Sequence, residues 1–159
     1  MTVAGPNDES RCAACERIGR ALRGEPDHLF IRDLGRTLVF LHQHQPYAGW
    51  CVLFLKEHRE HLADLPVESQ AAIFEDVAGV AAAVHRAFAP QRINYECLGN
   101  QMHHVHWHVI PRYSRPLDPD PGQTVWVRPT SELNAPLERE RAAELVDRLR
   151  NEITPLARR

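Results

Sequence analysis

The sequence predicts an α+β domain with a five-stranded antiparallel sheet, one long helix, a short N-terminal helix and a C-terminal helix. Three observations carry this. Five short apolar runs punctuated by turn residues fall in the order β-β-β-α-β-β around a single long helical stretch. The last two runs lie so close in sequence that they must pair antiparallel. Helical patterns flank the set at both ends. At 159 residues and 43% hydrophobic, the chain has material for one core, so residues 1–159 are read as one domain.

Taken in order, residues 1–10 form a polar leader without the apolar stretch of a signal peptide. Cys12 and Cys15 make a C-x-x-C pair, followed by a short helical run to Leu22 that Gly24, Pro26 and Asp27 end. Residues 29–34 and 37–41 read as strands of a hairpin around Gly35. A polar loop from His42 to Tyr47 leads into the continuous apolar strand 50–55. The charged turn 56–61 follows, with His58 just past the strand end. Asp64, Leu65 and Pro66 start the long helix, Pro being suited to a first turn. Ala71, Ala72, Phe74, Val77, Ala78, Val80, Ala81, Val84 and Phe88 line its apolar face, and Pro90 stops it. Residues 92–98 are the next strand, and Gly99, Asn100 and Gln101 the turn. Beyond Tyr113 the Pro- and Asp-rich stretch 116–121 is irregular. Trp126 lies in a short apolar run, and 136–153 is an amphipathic helix. The core is thus expected over about 12–113, with 114–159 as a C-terminal extension.

Charge and composition exclude several functions. A formal net charge of −2 argues against nucleic acid or an anionic membrane surface as partner. Lys56 is the only lysine, and no Gly-rich loop ends in Lys-Ser or Lys-Thr, which removes a Walker-type phosphate loop. No apolar run reaches membrane-spanning length, so a cytoplasmic protein is expected. Cys51 and Cys97 fall in strand-like runs, where reduced, buried thiols are expected.

The informative stretch is 104–110, in which His104, His106 and His108 alternate with Val105, Trp107 and Val109. On a strand, side chains two apart share a face about 6.5–7 Å from each other. The three imidazoles therefore form a row, and such a row suits metal ligation or nucleophilic and acid–base catalysis. The C-x-x-C pair has no strand before it, unlike a thioredoxin-type dithiol, and so reads as half a zinc site. With His58 and one histidine of the row it completes a closed Cys2His2 set.

The His-φ-His-φ-His-φ-φ pattern, φ being apolar, resembles the signature of the histidine triad (HIT) superfamily, and the likeness runs from about Cys12 to Arg112. The resemblance, strengthened by Lys56-Glu57-His58, selects His104 as the fourth ligand beside Cys12, Cys15 and His58, around one structural zinc per chain. It implies that His106 attacks the α-phosphorus of a purine nucleotide and forms a nucleotidyl-histidine, with no catalytic cofactor. A backbone carbonyl near His108 would hold the other nitrogen of His106. His108 would bind the phosphate or help protonate the leaving group, and Gly99, Asn100 and Gln101 would receive phosphate oxygens. His42 stands where many relatives carry an Asp for the ribose, and Trp50 where a histidine lines the phosphate site. Gly99-Asn100 and the His-Trp-His core resemble a bacterial group of dinucleoside-polyphosphate hydrolases. The resemblance also implies a homodimer; from its position, the tail around Trp126 is expected to reach the partner's active site. Two alternatives are a zinc-dependent hydrolase with the row as catalytic ligands and a nucleotide-binding protein without turnover.

Overall fold

The computed structural model describes residues 12–153; the leader expected over 1–10 lies outside the described residues. Helix α1 spans Ala13–Leu22, strand β1 Phe30–Asp33, β2 Thr37–Leu41 and β3 Cys51–Leu55. A 3-10 turn at Leu62–Asp64 precedes the long helix α2, Val67–Phe88. Strands β4 (Arg92–Glu96) and β5 (His106–Arg112) follow. A 3-10 turn at Val125–Val127, the short helix α3 (Thr130–Leu133) and helix α4 (Arg139–Glu152) complete the chain. The five strands form one antiparallel sheet in the order β1-β2-β3-β5-β4, as expected. No described helix is long and apolar enough to cross a membrane.

Strands β2 and β3 are buried at every position, because the sheet is covered on both faces. Val39, Leu41, Cys51, Leu53 and Val109 face α2 and α4, where Ile73, Val77, Val80, Val84, Leu145 and Leu149 meet them. Leu38, Phe40, Val52 and Phe54 face the other way, against Ala14 and Ile18 of α1. A strand sandwiched in this way has no polar side, and so its sequence shows a continuous apolar run. Helix α4 is tied to the β1 edge by Arg150, whose guanidinium donates to the Phe30 carbonyl at 2.6 Å and the Ile31 carbonyl at 3.3 Å. The opposite edge, β4, is left open.

Several boundaries differ from expectation. The last strand begins at His106 rather than at 104. Residues 104–105 lie beside the chain leaving β3, with the Val105 amide donating to the Arg59 carbonyl at 2.7 Å and the Leu55 amide to the Val105 carbonyl at 3.1 Å. β4 ends at Glu96 rather than at 98, so the connection runs over 97–105 and is no tight turn. Cys97 is therefore exposed there, whereas Cys51 is buried as expected. The long helix starts at Val67 because Asp64 belongs to the preceding 3-10 turn. The last helix starts at Arg139 instead of 136.

Candidate functional site

The histidine row survives the change of boundary. Val105 and Trp107 pack with Val109 on the α2 side, leaving His104, His106 and His108 on the α1 side beside Phe54 and Trp50. Each imidazole meets a different partner, and the partner decides which nitrogen is available.

His104 is 1% exposed and its Nε2 donates to the Leu55 carbonyl at 2.7 Å. Its Nδ1 is thereby left with a lone pair, which faces Cys12 Sγ and Cys15 Sγ at 3.5 Å each and His58 Nδ1 at 3.3 Å. Cys15 Sγ is also 3.3 Å from His58 Nδ1. All four ligand atoms lie within 4.8 Å of one another. Around tetrahedral zinc, with Zn–S of about 2.3 Å and Zn–N of about 2.0–2.1 Å, sulfur and nitrogen ligands sit about 3.5 Å apart and two nitrogens about 3.3 Å. The observed separations fit that geometry. The sequence brings the set together through short local means. Helix α1 begins just after Cys12, and Cys15 lies on its first turn. His58 sits on the turn leaving β3.

His106 is buried, and its Nδ1 donates to the His104 carbonyl at 2.7 Å. The acceptor lies two residues before the histidine, not near His108 as expected, because the chain entering β5 is irregular and turns the carbonyl of residue 104 inward. The Nε2 of His106 therefore keeps its lone pair. Its ring lies 5.2 Å from that of His108 and 6.0 Å from Phe54.

His108 accepts a hydrogen bond at Nδ1 from Trp50 Nε1 at 3.1 Å. Trp50 in turn stacks on His42, with ring centroids 4.2 Å apart and planes 11° from parallel. The hairpin register explains the stack. Leu41 pairs with Cys51, so His42 and Trp50 continue that ladder and the His42 amide donates to the Trp50 carbonyl at 2.9 Å. Gly49 sets the entry to Trp50 with φ 97°, and any Cβ there would meet the Phe88 ring at 2.5 Å. Both the left-handed conformation and the close approach demand glycine. Burial lowers the His108 imidazole to about 3, helped by the neighbouring His106 and His42. Burial likewise lowers His42 to about 4, against the bond from its Nδ1 to the His44 carbonyl at 2.7 Å. Both rings are neutral near pH 7.

Trp50 is 1% exposed with its one donor committed to His108. Gly99, Asn100 and Gln101 are exposed in the 97–105 connection, and open space surrounds Gly99. No described contact joins them to the histidines.

The sequence reading missed the covering residues. Trp126 packs edge-on against Trp50 at 5.7 Å and His108 at 5.6 Å, and donates from Nε1 to Glu96 Oε2. It covers the site of its own chain; the expected reach to a partner's site is not needed for the contact. Its segment is fixed by a buried ion pair, Arg112 Nε to Asp118 Oδ2 at 2.7 Å. Arg112 also donates to the Gln123 and Asp120 carbonyls, and Tyr47 Oη donates to Asp118 Oδ1 at 3.3 Å. No local pattern links 112, 118 and 47. Phe54, by contrast, lies on a strand the sequence predicts, although the continuous apolar run of β3 does not say which face it takes.

A separate apolar groove lies on the other side of the sheet, between α2 and the open edge. Phe74, Ala78, Ala81, His85, Tyr95 and Trp107 line it. Phe74 and Tyr95 are half exposed, and the Trp107 indole N–H is buried with no hydrogen-bond partner among the described residues.

Comparison with known proteins adds the following. The family model described as HIT domain matches residues 23–115. A histidine triad protein of Sinorhizobium meliloti 1021 is 24% identical, with a TM-score of 0.70 over 78% of this chain and 88% of that one. A hypothetical histidine triad nucleotide-binding protein of Sulfolobus tokodaii strain7 is 17% identical, with a TM-score of 0.67 over 89% of this chain and 91% of that one. A Zn-bound histidine triad family protein of Mycobacterium smegmatis is 19% identical, with a TM-score of 0.63 over 91% of this chain and 94% of that one. At such identities the likeness establishes the fold. No curated protein sequence matches the chain.

Proposed function

The chain belongs to the HIT domain family, and from that premise we propose that it hydrolyses a purine nucleotide conjugate or dinucleoside polyphosphate, or transfers its nucleotidyl group, at the α-phosphate. The observation that carries the reading is the bond from His106 Nδ1 to the His104 carbonyl. It supports a single tautomer with the Nε2 lone pair free, and it steadies the cation that forms when that lone pair attacks. His106 Nε2 bonds to the α-phosphorus, and the bond from phosphorus to the leaving group breaks, its electron pair departing with that group. Water then adds to phosphorus, its proton passing to solvent, the P–N bond breaks back onto His106, and a nucleoside monophosphate leaves. His108, beside it, donates from Nε2 to phosphate. Gly99, Asn100 and Gln101 supply further donors if their connection folds over the nucleotide, and His42 lies near the ribose.

Cys12, Cys15, His58 and His104 would hold one zinc, which fits their ligand separations and would staple α1 to the sheet. Among the described residues this set is the group whose ligand atoms are close enough for a metal. His106 and His108 belong to no such group among the described residues, and His108, accepting from Trp50 at Nδ1, turns no lone pair to the site, so a catalytic zinc on the row finds no support. The open β4 edge and the apolar groove beside it favour a homodimer that continues the sheet. Residues 12–113 carry the sheet and the site of the one domain, while the extension from 114 covers the site with Trp126 and adds α4 to the core. No disulfide joins the cysteines among the described residues, which suits a reducing cytoplasm.

The test is turnover of diadenosine polyphosphates, adenosine phosphoramidate and a guanosine analogue by wild type and His106→Asn, with zinc content measured on both. The substituted protein loses turnover by about a thousandfold or more and keeps its zinc. Unchanged turnover of every substrate would remove His106 as nucleophile. Loss of turnover together with zinc would make it a ligand.

A further inference from the structure

Trp50 offers only one polar group, the indole N–H, and that group can only donate. It lies 3.1 Å from His108 Nδ1. A donor there requires a lone pair on Nδ1, so the neutral His108 ring carries its proton on Nε2. The imidazolium, with N–H at both nitrogens, would set two donors against each other. Trp50 cannot swing away. It is 1% exposed, stacked on His42, met edge-on by Trp126, and led in by a glycine pressed against Phe88.

We propose that Trp50 is a positioning residue that holds His108 as a neutral Nε2–H donor, and so matches the site to leaving groups that depart as anions, phosphates and nucleoside polyphosphates, rather than to amines. This deepens the proposed function and rests on its nucleophile. A neutral imidazole that surrendered its Nε2 proton would become an imidazolate, a far stronger base than the departing phosphate it would have protonated. His108 can therefore stabilise the charge that develops on a departing oxygen by a hydrogen bond, but it keeps its proton. The groups facing it from the other elements are poor sources of one. His42 has its Nδ1–H on the His44 carbonyl and is held neutral by burial. His106 is the attacking base. Glu96 of β4 accepts from Trp126, and Trp126 itself does not titrate.

The step balances without proton transfer. The His106 Nε2 pair forms the P–N bond, and the P–O bond breaks with its pair on the leaving phosphate, which His108 Nε2–H and solvent receive. An amine departing from a P–N bond would need a proton that this arrangement withholds.

Two measurements test the proposal. The first is nitrogen NMR of ring-labelled wild type and Trp50→Phe, which keeps an aromatic ring and removes the N–H. In wild type, His108 has its proton on Nε2 and does not titrate between pH 8 and 5; in Trp50→Phe it exchanges between tautomers and titrates. The second is kcat/KM for substrates sharing one nucleotide and differing in leaving group. Wild-type rates fall steeply as leaving-group basicity rises, and the ratio of phosphoramidate to anhydride turnover rises about tenfold or more in Trp50→Phe. A proton on Nδ1 in wild type, a titrating wild-type His108, or a wild-type rate indifferent to leaving-group basicity would each overturn it. The spectra and the basicity series use the wild-type chain, so a poorly folded variant does not shield the idea. Turnover that survives His106→Asn would sink the nucleophile while the spectra still judge Trp50.

Discussion

Acid should weaken this fold well above the carboxylate range, and His42 offers the means to show it. His42 and His108 are lowered by burial from an ordinary 6.5 to about 4 and about 3. The unfolded chain therefore takes up protons below pH 6.5 that the folded chain refuses. The stability these rings contribute is fully present above pH 6.5 and is lost as pH falls toward their folded values. Between pH 7 and pH 5 each group removes about 2 kcal/mol, or about 4 kcal/mol for the pair. The carboxyls of Asp27 and Asp118 do not confuse this window. Burial raises them, their arginine partners lower them on balance from 3.8, and their loss comes at more acid pH. The informative comparison is with His42→Phe, which keeps a ring against Trp50 and cannot titrate. Urea unfolding at pH 7, 6 and 5 should show the variant losing about 2 kcal/mol less than wild type over that range. Identical pH dependence in the two proteins would refute the claim that His42 is held neutral.

Other perturbations reach other parts of the argument. Cys12→Ser should drop zinc content from about one per chain toward zero, measured by metal analysis, and lower stability by about 3 kcal/mol or more as α1 comes loose. Asp118→Asn leaves the Arg112 guanidinium, itself 2% exposed, without its ion partner. The cost should be about 3–5 kcal/mol by denaturant titration, with Trp126 fluorescence changing as its segment loosens. Phe74→Glu, at the rim of the apolar groove, should turn the expected dimer into a monomer by sedimentation with little change in the unfolding of each chain. A wild-type chain already monomeric at tens of micromolar would remove that interface.

The sheet and the long helix were legible because their apolar periodicities are undisturbed: 37–41 and 51–55 are buried on both faces, and α2 presents Ile73, Val77, Val80 and Val84 at helical spacing. The cluster of Cys12, Cys15, His58 and His104 was legible through a C-x-x-C pair and a histidine at a strand end, together with the family likeness. What escaped was long-range or irregular. The strand start at 106 was hidden because an alternating run continues two residues into a segment whose hydrogen bonds go to Arg59 and Leu55 instead of a regular ladder. The acceptor for His106 follows from that irregularity and has no sequence signal. Trp126 reaches the site only because Arg112, Asp118 and Tyr47 converge on one buried point, and convergence of residues from such distant positions is a property of the packed chain.

Alternation alone makes three histidines look equivalent, and their hydrogen bonds make them three different reagents. His104 gives Nε2–H to the Leu55 carbonyl and turns the Nδ1 lone pair to the thiols. His106 gives Nδ1–H to the His104 carbonyl and keeps the Nε2 lone pair. His108 accepts at Nδ1 from Trp50 and is left with Nε2–H. The proposed ligand, nucleophile and donor thus differ only in which nitrogen a fixed neighbour occupies. The first two neighbours are backbone carbonyls, which no side-chain substitution can remove. The third is the Trp50 side chain. The character of His108 is therefore the one that a single substitution can change while the metal set and the nucleophile keep their partners, and leaving-group preference is the property most open to change at this site.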